Sequence, residues 1–182
     1  GTSESSSKHI PVTKDMIKTI HKGTLKQILA TRHFNFSKEQ FETEILFVGG
    51  STNLNYNGTY FSGDLSGITT GTQPRWFQNF TLPGPQIRSI VSWENKLQEI
   101  VDKAKQWDVG FICGVPAWIQ ILFERIIKHY NLKTIHDIWP NLAIYVHGGV
   151  AIHPYKKSID ALCHKPLIYL DSYMASEGFA AD

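Results

Sequence analysis

Three short stretches hold the residue types that handle a charged, flat ligand. Gly1-Thr2-Ser3-Glu4-Ser5-Ser6-Ser7-Lys8 joins a flexible backbone and several hydroxyls to a cation, the groups that hold a nucleotide's phosphates. It is not a Walker loop: that motif needs glycine before the lysine and Ser or Thr after it, whereas Lys8 stands between Ser7 and His9. His147-Gly148-Gly149-Val150 offers paired glycines, whose bare backbone approaches a flat ligand closely or turns tightly. Tyr173-Met174-Ala175-Ser176-Glu177 sets an aromatic face, a hydroxyl and a carboxylate together, in reach of an adenine, a phosphate and a Mg²⁺ ion. Each stretch taken alone has a plainer reading, as a solvated polar segment, a structural turn and a surface turn respectively.

The elements that position these stretches are legible from periodicity. Met16, Ile17, Ile20, Leu25, Ile28 and Leu29 recur at helical spacing and predict a helix over residues 14–31. Residues 44–48 form a short apolar run closed by Gly49-Gly50-Ser51, which reads as a strand entering a turn. Residues 93–106 and 116–130 carry helical patterns, while 109–113, 142–146 and 167–170 are buried strands. Between residue 51 and Pro85 the chain is rich in Gly, Asn, Thr and aromatics without a long period, and reads as loops and short strands carrying a substrate wall or partner surface. Ser176-Glu177-Gly178 reads as a polar turn with no capping element after it. Strand and helix alternation predicts one α/β unit over residues 1–182, a central mixed sheet flanked by helices, with ligands at the strand ends.

Bulk properties limit the partners. The 182 residues, 42% of them hydrophobic, suffice for one core. Eighteen basic against 16 acidic residues, net +2, give no electrostatic footprint for nucleic acid or an anionic membrane. No apolar stretch reaches the roughly 20 residues that span a bilayer. Cys113 and Cys163, the only cysteines, lie in or beside apolar runs and read as reduced buried thiols, which points to the cytoplasm.

In combination the motifs carry a resemblance. Gly1-Thr2-Ser3 followed by Lys8-His9-Ile10-Pro11 resembles the phosphate-binding motif of the auxin-responsive (Gretchen Hagen) acyl acid amido synthetases, and Tyr173-x-x-Ser176-Glu177 is similar to that family's second nucleotide motif. Gly63-Asp64-Leu65-Ser66-Gly67-Ile68, Gly114-Val115-Pro116-Ala117-Trp118, Ile138-Trp139-Pro140-Asn141-Leu142 and His147-Gly148-Gly149-Val150 resemble stretches of its bacterial branch, in order and along the whole chain. The two serines that precede Gly1 in the family motif are missing, and Ser5 stands where plant members have glycine. The third motif, Tyr-Arg-x-Gly-Asp, is expected after the second and is absent. Tyr60-Phe61-Ser62-Gly63-Asp64 mimics it without the arginine but precedes the second motif, so it is not taken as the ribose site. The chain begins without methionine and is expected to be an internal piece of the large N-terminal domain of an adenylate-forming enzyme, without the mobile C-terminal domain and its catalytic lysine.

The resemblance implies a ligase that uses ATP and Mg²⁺ to convert a carboxylic acid to an acyl-adenylate and then joins it to an amino acid. It implies that Thr2, Ser3 and Lys8 hold the phosphates, that Tyr173 packs on adenine, that Ser176 meets the α-phosphate and that Glu177 holds Mg²⁺. Gly148, Gly149 and Val150 would line the adenine and the acyl carboxylate by backbone, and Val115 and Trp118 are the candidates for the acyl pocket. Two alternatives remain open: transfer of the acyl group to coenzyme A, and a non-catalytic remnant that keeps part of a nucleotide pocket.

Overall fold

The computed structural model describes residues 10–34, 36, 38–175 and 178–181. The expected α/β architecture is present. Helix α1 (Lys14–Ala30) runs into a 3-10 turn at Thr31–His33, and the short α2 (Lys38–Phe41) leads into β1 (Glu44–Val48). A hairpin of β2 (Asn55–Tyr56) and β3 (Phe61–Ser62) follows, then α3 (Leu65–Gly71), α4 (Arg75–Gln78), β4 (Thr81–Leu82) and α5 (Pro85–Arg88). The second half alternates α6 (Trp93–Lys103), β5 (Val109–Gly114), α7 (Pro116–Tyr130), β6 (Ile144–His147), α8 (His153–Ala161), β7 (Ile168–Ala175) and β8 (Gly178–Ala181).

The main sheet has the order β4-β1-β5-β6-β7-β8; its first five strands are parallel and β8 pairs antiparallel with β7. Numbered along the chain, the parallel strands stand in the order 2-1-3-4-5. The chain leaves β1 toward one edge, makes β4, and returns across β1 to make β5. Strand order therefore reverses between β1 and β5, and the connections diverge there to leave a crevice beyond the strands' carboxyl ends.

Both faces of the sheet are covered, which is why β5 reads as a continuous apolar run and does not alternate. On one face Leu46, Val48, Ile112 and Tyr145 meet Leu97, Ile100 and Val101 of α6 and Ile119, Leu122, Phe123 and Ile126 of α7. Each such side chain contributes about 1.5–3 kcal/mol by leaving water. The opposite face carries Ile45, Phe111 and Ile144 under Ile28 of α1, Phe36 and Phe77. Trp139 is fully buried against Phe123 and donates its indole N–H to the Ala104 carbonyl at 3.0 Å. Helix boundaries follow local chemistry. Ser92 caps α6 by accepting from the Asn95 N–H, Pro116 opens α7 at its first position, and Asn131 closes it in the left-handed conformation with φ 53°.

Three expectations are corrected. The stretch after β1 holds short strands as read, but also α3, α4 and α5. Helix α8 was not expected; its Pro154, usable in the first turn, masks a nine-residue pattern. After the expected polar turn, where no further element was read, Gly178–Ala181 adds β8 to the sheet edge. No helix among the described residues is long and apolar enough to cross a membrane.

Candidate functional site

A cavity of about 390 Å³ occupies the crevice at the strand-order reversal. Its rim is made where three strands end: Val48-Gly49 at the end of β1, Gly114-Val115 at the end of β5 and His147-Gly148-Gly149 at the end of β6. Its floor includes Phe47, Cys113 and Val146, which the parallel register places side by side across three strands. They stand on the face opposite α6 and α7, where Cys113 and Val146 leave room that a larger side chain would fill. Helix α3 supplies a lateral wall of Leu65, Ser66, Thr69 and Thr70, with Asp64 just before it; Trp118 of α7 and Ser172 of β7 complete the enclosure.

Close backbone approach explains the wall's glycines. A Cβ on Gly148 would lie 2.2 Å from the Ser172 carbonyl oxygen, and one on Gly67 would lie 2.0 Å from that of Ser51. Gly67 thus lets α3 lie directly on the loop after β1, where the Gly50 N–H donates to Ser66 Oγ at 3.0 Å. Gly149 has φ +81°, and a Cβ there would touch Val115 Cγ2 at 3.4 Å. Val115 caps α7 with no side-chain acceptor, so the uncapped, partially positive start of a fifteen-residue helix lies beside the Gly148-Gly149 turn.

The polar groups around the cavity are unequally satisfied. His147 is 5% exposed, and burial holds its imidazole below the usual histidine range, partly opposed by Asp171. Its Nδ1 lies 3.5 Å from Asp171 Oδ1 and has no hydrogen-bond partner among the described residues. Tyr145 donates its hydroxyl to the Gly114 carbonyl at 3.0 Å, which fixes the end of β5. Behind the rim, buried Lys96 donates to the Gly49 carbonyl at 3.2 Å; burial lowers its pKa and the charge of Asp64 raises it. Asp64 is the one formally charged residue in the lining. The Cys113 thiol is pushed up to about 12 by burial, so it is a packing group and not a thiolate nucleophile.

Of the residues singled out from sequence, Gly148, Gly149, Val115 and Trp118 meet in this one cavity. Trp118 also packs on Trp93, with ring centroids 4.4 Å apart, so its plane is held by the core. Val150 is exposed and is not part of the lining. Tyr173 lies in β7, its backbone paired with Ala180. Thr2, Ser3, Lys8, Ser176 and Glu177 lie outside the described residues. Among the described residues no three His, Cys, Asp or Glu side chains form a group fit to hold a metal. A nucleotide-bound Mg²⁺ asks less of the protein, one or two carboxylates beside the phosphates.

Sequence reasoning missed Asp64, Ser66, Thr69 and Thr70 as cavity wall, and Cys113 as floor. Asp64 was weighed only for a ribose role. His147 stood beside the noted glycines at the end of a strand buried on both faces, so a polar residue ending a continuous apolar run was the available signal.

Fold and cavity together define a doubly wound α/β domain with a ligand crevice at its topological switch point. No protein-family model matches the chain, and no curated protein does.

Proposed function

We propose that the protein belongs to an ATP-dependent ligase that activates a carboxylic acid as its adenylate and transfers the acyl group to an amino acid. The observation that supports this reading is the convergence of Gly148, Gly149, Val115 and Trp118, residues from two separate motifs, on one cavity at the strand-order reversal. Its volume falls within the range of roughly 300–1,000 Å³ typical of small-molecule sites. In this proposal the acid's ring or chain lies over Phe47, Cys113 and Val146 with Trp118 beside it, which excludes water. Its carboxylate faces the Gly148-Gly149 backbone and the start of α7, where partial positive charge favours an anion. A carboxylate oxygen then attacks the α-phosphorus of ATP and pyrophosphate leaves. The amine nitrogen next attacks the acyl carbon, loses a proton, and AMP departs. Positioning for in-line attack is the main contribution asked of the fold.

Acid-dependent exchange of labelled pyrophosphate into ATP tests the first half-reaction. The piece alone is expected to be inactive, so the full-length protein is assayed: exchange that appears only with that protein and acid together supports the proposal, and its absence across aryl and alkyl acids refutes it. Product analysis with an amino acid and coenzyme A offered in competition tests the second. An N-acyl amide is expected, and a dominant thioester would overturn the amide step while leaving adenylation intact.

A further inference from the structure

The hairpin of β2 and β3 lies outside the cavity, and its tip brings together the groups of one covalent reaction. Asn57-Gly58 is the only asparagine-glycine pair in the chain, and both residues are exposed. The Asn57 N–H donates to the Tyr60 carbonyl at 3.2 Å, so Gly58 and Thr59 make the turn, and Gly58 takes the positive φ of 94° that glycine adopts without strain. The Tyr56 hydroxyl holds the turn from below by donating to the Gly58 carbonyl at 2.8 Å. The side-chain carbonyl oxygen of Asn57 accepts two backbone N–H groups, from Thr59 at 3.1 Å and from Tyr60 at 3.0 Å. Two donors on one carbonyl oxygen polarise its carbon and hold the negative charge that grows on that oxygen under attack. The Gly58 N–H makes no hydrogen bond among the described residues, and a Cβ on Gly58 would have nothing within 4 Å, so the nitrogen is uncommitted and open to water.

We infer that Asn57 is a self-modifying site, an asparagine that converts to aspartate and isoaspartate in the folded protein. Cγ of Asn57 and the Gly58 nitrogen are joined through Cβ, Cα and the main-chain carbonyl carbon, so covalent connection alone keeps them near each other. The Gly58 nitrogen loses its proton to hydroxide and attacks Cγ, and the new Cγ–N bond closes a succinimide ring. The Cγ–Nδ2 bond breaks, and Nδ2 leaves as ammonia with a proton from water, which regenerates the hydroxide. Water then opens the ring. Addition at Cγ breaks the new bond and gives aspartate; addition at the main-chain carbonyl carbon breaks the original peptide bond and gives isoaspartate, with Cβ now part of the main chain. Folding protects an asparagine when the N–H that follows it is committed to a ladder or a helix, and here it is not. Every other asparagine precedes a residue with a side chain, which crowds the attacking nitrogen. Either product places a carboxylate on a hairpin tip, residues 55–60, that has none, and the longer main chain of isoaspartate breaks the pairing of residues 57 and 60 beside the exposed ring pair Tyr56–Phe61.

Timed incubation of the protein at about pH 6.5 and about pH 8.5, digestion in acid, and peptide mass spectrometry that separates aspartate from isoaspartate test this. Conversion is expected at Asn57 and at no other asparagine, faster at the higher pH, with both products present. The rate in the folded protein should lie within about tenfold of the rate in the same protein unfolded in urea. Gly58→Ala adds the Cβ that crowds the nitrogen and should slow conversion at least about tenfold, in the folded and in the urea-unfolded chain alike, so the result does not depend on the variant's hairpin. Asn57→Gln, whose longer side chain must close a larger ring, should abolish it. No conversion at Asn57 overturns the inference, as does conversion spread equally over the other asparagines. A folded rate more than about tenfold below the unfolded one also overturns it, because the turn would then protect Asn57. An unchanged rate in Gly58→Ala overturns the attack by the Gly58 nitrogen.

Discussion

Replacing Gly148 with alanine places a methyl carbon 2.2 Å from the Ser172 carbonyl oxygen and 3.3 Å from its carbon. A non-bonded carbon and a carbonyl oxygen settle at about 3.3 Å, so the backbones must part by about 1 Å. Neither side yields freely. β6 and β7 are paired up to His147 and Asp171, and Ser172 is further held by Ala181 across β8. Overpacking of this kind costs about 1–3 kcal/mol. At about 2 kcal/mol, a chain of this size should melt about 4–8 °C lower. Gly149→Ala acts differently: a Cβ there meets only Val115 at 3.4 Å, but φ +81° disfavours any L side chain, at about 1–2 kcal/mol. Asparagine at 149, which tolerates the left-handed region, should recover part of that loss, whereas asparagine at 148 should recover nothing. Thermal denaturation followed by circular dichroism gives the stabilities, and titration with a cavity ligand reports the rim. A Gly148→Ala protein with wild-type melting temperature would refute the claim that β6 and β7 touch backbone to backbone here.

The remaining predictions concern the floor, the core and pH. Cys113→Leu should extend the floor into the cavity, leaving stability within about 1 kcal/mol of wild type because it fills space, while binding of ring-bearing acids weakens about tenfold, the equivalent of about 1.4 kcal/mol; unchanged binding would remove Cys113 from the site. Trp139→Phe loses the indole bond to Ala104 and part of a fully buried volume, and urea denaturation should show a loss of about 2 kcal/mol. Buried His136 accepts from the His164 N–H at Nδ1 and contacts the Leu142 carbonyl through Nε2, and burial holds both His136 and His147 below the usual imidazole range. The unfolded chain therefore takes up protons near about pH 6.5 before the folded one does. The stability these groups confer is complete above that pH and is lost as pH falls below it, so the urea midpoint should drop between pH 7.5 and 5.5, and less so in His136→Asn.

Periodicity located the elements with strong apolar patterns because burial alone shapes them. Residues 116–130 place Ile119, Leu122, Phe123 and Ile126 on one helical face, and the short apolar run of β5, closed by Gly114, has the length and flank of a doubly buried strand. It failed for α3, where Leu65-Ser66-Gly67-Ile68-Thr69-Thr70-Gly71 carries two glycines and two β-branched threonines, a poor helix by propensity. Tertiary context overrides it: Gly67 is there so that the helix can lie on Ser51, and Thr69 and Thr72 return hydroxyl bonds to carbonyls one turn back. The same residues hid the cavity wall. A wall built from helix Ser and Thr has no spacing signature of its own, and Asp64 joins Gly149 in the site only because β1 and β6 are separated by a single strand.

The arrangement divides recognition between two kinds of group. β1, β5 and β6 end at the cavity on Gly49, Gly114 and Gly148, so a ligand at the rim meets peptide N–H and C=O groups before any side chain. Those groups are held by the sheet: the Tyr145 hydroxyl binds the Gly114 carbonyl and the Lys96 ammonium binds that of Gly49. They are therefore oriented before a ligand arrives, which is the condition under which fixed dipoles act most strongly on developing charge. A rim of this kind responds to substitution where a glycine gains a side chain or where Tyr145 or Lys96 loses its bond to a rim carbonyl. The floor and lateral wall have the opposite character. Cys113, Val146, Thr69, Trp118 and Asp64 present side chains, so a ligand there meets their shape and charge. Under the proposed function, chemistry common to many acids would fall to the rim, and choice among them to the wall. Substitutions at Asp64 or Cys113 should therefore alter which acid is accepted, whereas Gly148→Ala should weaken every acid together.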